Sequence, residues 1–356
     1  MSDNFKITSS RGVYEVNFVE DFQATLEIDL SAKMHFIIDK KVACIYGSKL
    51  EKILSLQNTI QVEAVEASKS LENTTEVIKK IVRHGIRRDH CIVAIGGGVI
   101  QDITCFISSI LLRGIGWQFY PTTLLSQADS CIGSKSSINI DSFKNILGTF
   151  WPPEKVFICS KFLTTLSESE IASGVGEIIK AHAIKSRSKF DEVATLYKKF
   201  ECTSTYLDQM IIQSLEIKKE YIERDEFDVG IRNLFNYGHS FGHAIESATN
   251  FTIPHGIAVT IGMDMANYIS YLRGLLPVSE FERMHSLLAS NYALAKKIKI
   301  NVARVIEGLS KDKKNLGDQL VVLLPIGSDA KITKVSIDLN DHFKNQCSEF
   351  FKYYYS

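Results

Sequence analysis

The sequence has no excess of either charge: 41 Lys and Arg balance 41 Asp and Glu over 356 residues. A general nucleic-acid or membrane-surface binder usually carries a basic surplus, so neither partner is expected. No apolar run approaches the ~18 residues of a membrane-crossing helix. The longest candidate, residues 107–112, ends at Arg113. The opening segment MSDNFKITSSRG lacks the apolar core of a secretory signal. A soluble, cytoplasmic chain is therefore expected. Cysteine occurs seven times, an odd number, and never as a C-x-x-C pair. Cys44, Cys91, Cys105, Cys131, Cys159, Cys202 and Cys347 sit mostly in apolar stretches, which reads as buried reduced thiols rather than disulfides or thiolate metal sites. Proline is scarce, and there is no internal repeat or low-complexity linker. The length fits about two domains.

What is present changes character along the chain. Residues 34–38, 42–46, 91–95 and 117–120 are short apolar runs of the kind that form buried strands. Residues 73–84 carry apolar side chains at helical spacing, with Asn73 or Thr74 as a candidate cap and Gly85 at the end. A second helical pattern follows Gly96-Gly97-Gly98. This strand–helix–strand rhythm predicts a parallel α/β sheet. Beyond residue 165, helical patterns dominate at 168–184, 207–222, 234–249, 257–273 and 280–289, with one late strand at 321–325. The expected layout is an α/β domain over 1–165 and a mainly helical domain over 166–356, with a cleft between them as the default site.

Four groups of residues carry chemistry. Strand–GGG–helix places bare backbone N–H groups at a helix start, which suits a dinucleotide pyrophosphate; a tight turn explains it equally well. It is neither G-x-G-x-x-G nor a P-loop. The stretch from Pro121 to Asn145 packs hydroxyls, amides, Asp129, Lys135 and Lys144 between apolar segments, just after Arg113, and suits a phosphate and polyol site. His239 and His243 stand four apart on one helix face, with His255 at the next helix start. Three histidines this close suggest a metal with one open position, and Glu177 is a possible carboxylate ligand. Finally, Arg232, Asn236, His239 and His243 step along one predicted helix face, with Lys218 and Asp228 upstream, like an anion clamp beside a metal.

With these motifs the chain resembles the sugar-phosphate cyclases, and most closely the 3-dehydroquinate synthases. The similarity runs from about Asp39 to Lys314. It is carried by GGGVIQD (96–102), RG (113–114), PTTLLSQADSCIGSK (121–135), KN (144–145), SGVGEIIK (173–180), LFNYGHSFGHAIE (234–246) and HG (255–256). The resemblance implies NAD held by Asp39, Glu66, Lys69, Gly97, Gly98, Val99, Asp102, Thr122, Thr123, Asp129, Lys144 and Asn145, with Thr165 and Glu170 nearby. It implies Zn2+, or Co2+ in its place, on Glu177, His239 and His255, with His243 serving substrate phosphate or proton transfer instead. Arg113, Lys135, Asn145, Asn236, His243 and a late lysine, Lys313 or Lys314, are the implied phosphate contacts. Arg113 would act across a homodimer interface. Lys218 and Arg232 would meet a substrate carboxylate, and Lys180 would also touch substrate.

The implied reaction is a lyase reaction of the shikimate pathway. It cyclises 3-deoxy-D-arabino-heptulosonate 7-phosphate to 3-dehydroquinate with release of phosphate. The alternatives are another sugar phosphate, such as sedoheptulose 7-phosphate or glucose 6-phosphate, or a metal-dependent alcohol dehydrogenase of similar layout. The chain departs from the family pattern at Gln101, Cys105, Ser134, Ser136, Ser137, Asp228 and Ile257. Arg232, Asn236 and His243 are all retained, which favours a carboxylate-bearing substrate.

Overall fold

The computed structural model describes every residue except 1–3, 29, 142, 201–204, 312–318 and 356. Lys313 and Lys314, the implied late phosphate contact, lie outside the described residues. The chain divides into two compact units: Met1–Leu166 with Lys219–Phe227, and Ser167–Lys218 with Asp228–Ser356.

The first unit is built on seven strands: β1 (Phe5–Ser9), β2 (Gly12–Phe18), β3 (Met34–Asp39), β4 (Thr59–Val62), β5 (Cys91–Gly96), β6 (Gly116–Pro121) and, after the small hairpin β7 (Ile138–Ile140) and β8 (Phe143–Leu147), β9 (Lys155–Ile158). Their order is β1-β2-β9-β6-β5-β3-β4. Every pairing is parallel except the β1–β2 hairpin at the edge. Helices α1 (Phe22–Ile28), α2 (Lys40–Ile45), α3 (Glu51–Leu54), α4 (Leu71–Arg83) and α5 (Gly98–Ile110) accompany it. Strands buried on both faces need continuous apolar runs, which is why β3, β5 and β6 are legible in the sequence. Phe36, Ile38, Val93, Ile95, Tyr120 and Phe157 from the sheet meet Phe22, Val42, Tyr46 and Phe162 in one core.

Two local expectations change here. The run 42–46 is not a strand but forms the end of α2 and its C-cap Tyr46, the helix start being capped by the Asp39 carboxylate accepting from Lys41 N. A run of five apolar residues fits either state, and Asp39 settles it by satisfying a helix-start donor. Helix α4 starts earlier than predicted, on Ser70, whose hydroxyl accepts from Asn73 N. Of the described cysteines, Cys105, Cys131, Cys159 and Cys347 are buried, Cys91 is half-buried, Cys44 is exposed, and all are free thiols.

The second unit is mainly helical: α6 (Glu168–Lys185), α7 (Arg187–Phe200), most of α8 (Thr205–Arg224), α9 (His239–Ala248), α10 (His255–Leu272), α11 (Val278–Asn291), α12 (Val302–Ser310) and α13 (Asp341–Phe350), with the hairpin β10 (Gln319–Ile326) and β11 (Lys331–Asp338). Helix α10 is its axis. Every residue from Gly256 to Ser270 is buried, and α6, α9, α11 and β10 pack around it. Among the described residues no helix is long and apolar enough to cross a membrane.

The predicted helix over 234–249 is broken. Ile231–Asn236 is a 3-10 turn, Gly238 is left-handed at φ 79°, and α9 begins only at His239. Arg232 and Asn236 therefore do not share a helix face with His239 and His243.

Candidate active site

In the second unit, three helices bring the chemistry together. Glu177 lies in the middle of α6, His239 is the first residue of α9, and His255 is the first residue of α10. Each sits beside a glycine that touches another backbone. A Cβ on Gly256 would lie 1.8 Å from Ser173 O, and one on Gly176 would lie 2.2 Å from Gly256 O. Helices α6 and α10 can cross this closely only because both positions lack a side chain. Gly238 turns the chain into α9, and a Cβ there would lie 2.7 Å from Val259 O of α10. The glycines of SGVGE, YGH and HG thus set the spacing of the neighbouring functional side chains.

Glu177 is 1% exposed. Its Oε1 lies 3.6 Å from His255 Nε2 and 4.0 Å from His239 Nε2. That oxygen is buried and has no hydrogen-bond partner. Its other oxygen, Oε2, is bound by Lys180 Nζ. His239 Nδ1–H donates to Tyr237 O at 3.3 Å, and His255 Nδ1–H donates to Glu246 Oε2 at 3.1 Å. Both rings thereby turn Nε2 toward Glu177. Burial, and then Lys180, His255 and His243, hold the His239 imidazole well below its ordinary pKa, so it is neutral. For His255 burial works the same way, but the Glu246 hydrogen bond and the Glu177 and Glu246 charges outweigh it and raise the pKa.

A carboxylate oxygen without a donor, faced by two imidazole nitrogens, offers atoms of the kind that could hold a divalent cation. His243 joins the cluster: ring nitrogens of His239, His243 and His255 all lie within 4.8 Å of one another. His243 is the exposed member of the three. Nearby in the same unit, Lys180, Lys218 and Arg232 are buried cations. Lys180 and Lys218 both face the Phe235 ring, at 5.5 and 5.9 Å. Asn236 Nδ2 donates to Asn233 O at 3.1 Å.

In the first unit, the glycine turn opens on the carboxyl edge of the parallel strands, where ligands bind in such sheets. Gly97 precedes α5 and supplies no side-chain cap. A Cβ on Gly98 would meet no atom within 4 Å. An uncapped helix start with open space before it fits a pyrophosphate. Val99 follows in the first turn. Thr122 and Thr123 follow β6, and Thr123 Oγ1 bonds Ser126 Oγ at 2.8 Å. Asp39, at the end of β3, is engaged as the α2 cap. Thr165 Oγ1 meets Tyr46 OH at 3.0 Å.

Several implied NAD residues form one polar hub. Asp102 accepts from Ser137 N and Oγ at 3.0 and 2.8 Å and pairs with Lys69 Nζ at 2.8 Å. Lys69 also donates to Asn145 Oδ1 at 3.1 Å and lies 3.6 Å from Glu66. Burial pushes the Asp102 carboxyl upward against the pull of Lys69 and Ser137. Arg113, Ser134 and Asn145 have φ of 69°, 67° and 52°. Such left-handed non-glycine residues cluster at functional sites. Lys135 and Lys144 are exposed in this segment. Asp129 sits in the Ser126–Ser130 turn. Glu170 belongs to the second unit and closes a capping box with Ser167.

Two contacts were not legible in the sequence. Gln101 grips Ser130 at both ends: its Nε2 donates to Ser130 O at 2.5 Å and its Oε1 accepts from Ser130 Oγ at 2.6 Å. Glu246 was legible only as part of a motif; its position seven residues after His239 puts it on the same face of α9.

The first unit carries a glycine turn on a parallel sheet and the second a cluster of a mid-helix glutamate and histidines at two helix starts, and the fold is shared with sugar-phosphate cyclases. A 2-deoxy-scyllo-inosose synthase, solved with carbaglucose-6-phosphate, NAD+ and Co2+, superposes with TM-score 0.81 at 22% identity, covering 98% of both chains. The 2-epi-5-epi-valiolone synthase of Streptomyces hygroscopicus subsp. jinggangensis, solved with NAD+ and Zn2+, gives TM-score 0.81 at 23% identity, over 95% of this chain and 96% of that one. The models for the 3-dehydroquinate synthase N-terminal and C-terminal regions match residues 59–173 and 174–315. The 3-dehydroquinate synthase of Sulfurisphaera tokodaii is 33% identical over 328 residues, 87% of this chain and 91% of that protein. The chain belongs to the 3-dehydroquinate synthase family.

Proposed function

We infer that this chain converts 3-deoxy-D-arabino-heptulosonate 7-phosphate to 3-dehydroquinate and inorganic phosphate, with NAD and a divalent metal as cofactors. The observation that carries the reading is the donor-free Glu177 Oε1 facing two histidine Nε2 atoms, in a chain matched by both family regions. Glu177, His239 and His255 would hold Zn2+ or Co2+, and the α5 start with Gly97 and Gly98 would hold the NAD pyrophosphate. When bound, the metal supplies Lewis acidity to a substrate hydroxyl, and NAD supplies a hydride acceptor that later returns the hydride.

The chain's own residues bind and orient. Lys218 and Arg232, both buried, would hold the substrate carboxylate through charge-assisted hydrogen bonds. Of the phosphate contacts that the resemblance implies, Asn236 and His243 belong to the second unit, Arg113, Lys135 and Asn145 to the first, and Lys313 or Lys314 lies outside the described residues. His243, the exposed histidine of the cluster, would serve the phosphate or take up and return a proton. The reaction breaks the carbon–oxygen bond to phosphate, and the proton lost from the neighbouring carbon leaves with the phosphate. Ring opening and an intramolecular aldol addition follow, and for both the protein's task is to keep the reacting carbons in register and water out. A homodimer in which Arg113 serves the partner's site, and a cytoplasmic setting compatible with free thiols, belong to the same reading.

The test is phosphate release from a panel of sugar phosphates, with NAD and Zn2+ supplied. Release is expected only from the heptulosonate phosphate, without net NADH, and it stops on chelation. Release from sedoheptulose 7-phosphate or glucose 6-phosphate alone would replace the substrate assignment. Stoichiometric NADH would point to a dehydrogenase.

A further inference from the structure

Glu246 has no place in the reaction described, yet it is 12% exposed and bonded to a proposed metal ligand. Its Oε2 accepts from His255 Nδ1 at 3.1 Å, so the ring of His255 is held from behind while Nε2 faces Glu177 Oε1 at 3.6 Å. The local chain is bent to make this contact. Asn250 and Phe251, after α9, adopt φ of 49° and 59°, and Phe251 N bonds Glu246 O at 2.8 Å. This turn brings the start of α10 back beside α9. The second histidine at a helix start, His239, gets the equivalent support from a backbone oxygen, Tyr237 O. His255 is instead supported by a side chain, the Glu246 carboxyl group.

We propose that Glu246 is the positioning residue of the metal site: it fixes the ring orientation and tautomer of His255, makes Nε2 a better donor, and ties α9 to α10. The proposal rests on the metal-ligand reading of Glu177, His239 and His255. A carboxylate behind a ligating imidazole typically accounts for about 10–100-fold in metal affinity.

The experiment is titration of the metal-free full-length protein with Co2+, read by visible absorption, and with Zn2+ in competition with a chromophoric chelator. E246A is expected to raise the metal Kd about 10–100-fold. E246Q, whose amide oxygen can accept the same hydrogen bond without the charge, is expected to lose less. Nitrogen-15 histidine spectra of the zinc-loaded wild type should show His255 protonated on Nδ1, and this readout needs no variant to fold. Wild-type affinity in E246A, or His255 protonated on Nε2, overturns the role of Glu246 while the ligand set stands. A wild type that binds neither metal, or an H255A variant that binds as tightly as wild type, overturns the ligand reading and this proposal with it.

Discussion

Glu177 concentrates the electrostatics of the site. Its carboxylate is buried, one oxygen is held by Lys180, and the other has no donor. Lys180 pairs with the charge, but a buried acceptor such as Oε1 is costly to leave without a partner. Glu177→Gln removes the charge with little change in shape. It should weaken metal binding by at least about 100-fold, because even a residue behind a ligand accounts for about 10–100-fold; equilibrium dialysis with zinc measures this. Gln101 is a second informative residue, one of the positions that depart from the pattern the resemblance implies. Its two bonds to Ser130 tie α5 to the Ser126–Ser130 turn. Gln101→Ala leaves both Ser130 groups without those partners and should destabilise the protein by about 1–3 kcal/mol, read as a lower urea midpoint with unchanged slope.

At the level of elements, the site depends on how closely helices pass. Helices α6 and α10 touch through Gly176 and Gly256, with Ser173 Oγ accepting from Gly256 N at 3.0 Å. Gly256→Ala would force a methyl group against Ser173 O. Overpacking of this kind costs about 1–3 kcal/mol, and the helices must part where Glu177 and His255 meet. The expected result is a lower melting temperature and weaker metal binding together, whereas Gly274→Ala, in open space at φ 69°, should lower stability without touching metal affinity. Calorimetry with and without zinc separates the two. Element identity was legible wherever one periodicity dominated, as in α4, α6 and β5. It was not legible where a short apolar run fits two states, as at 42–46. Nor was it legible where a single left-handed glycine interrupts an otherwise continuous pattern, as at Gly238.

For the molecule as a whole, one contribution to acid stability comes from a histidine outside the catalytic motifs. His35, at the start of β3, meets His90 Nδ1 through its Nε2 at 3.0 Å. Burial first, then the charges of His90 and His84, pull its pKa from the ordinary 6.5 down to about 4. The folded state keeps His35 neutral while the unfolded chain protonates it below about 6.5. Its contribution to stability is therefore complete above pH 6.5 and is lost as pH falls toward 4. His35→Asn should flatten this acid limb between pH 6.5 and 4, which urea titrations at stepped pH would show; an unchanged limb would assign the loss to other groups. The division of the molecule was less legible than its motifs. Lys219–Phe227 groups with the first unit, where Glu223 and Glu226 accept from Thr8 N and Ser10 N at 3.0 and 2.7 Å. No local pattern announces such a pairing across more than 200 positions.

The residue types in their order, with helical and strand periods around them, were sufficient for the α/β-plus-helical class, the glycine turn and the pool of histidines, carboxylates and cations. Those properties are local: a period, a cap or a motif is complete within a few residues. Which members of the pool face one another is not local. Arg232 and Asn236 left the histidine face because Gly238 turns the backbone. Glu177 reached His239 and His255 because three glycines let helix backbones touch. Glu246 came to lie behind His255 because a left-handed turn reverses the chain. Neutral overall charge likewise gave no reason to expect a general polyanion binder, but only folding could bury Lys180, Lys218 and Arg232 in one unit. Packing, which brings distant backbones within contact distance and removes water from charged groups, is the physical step between the two.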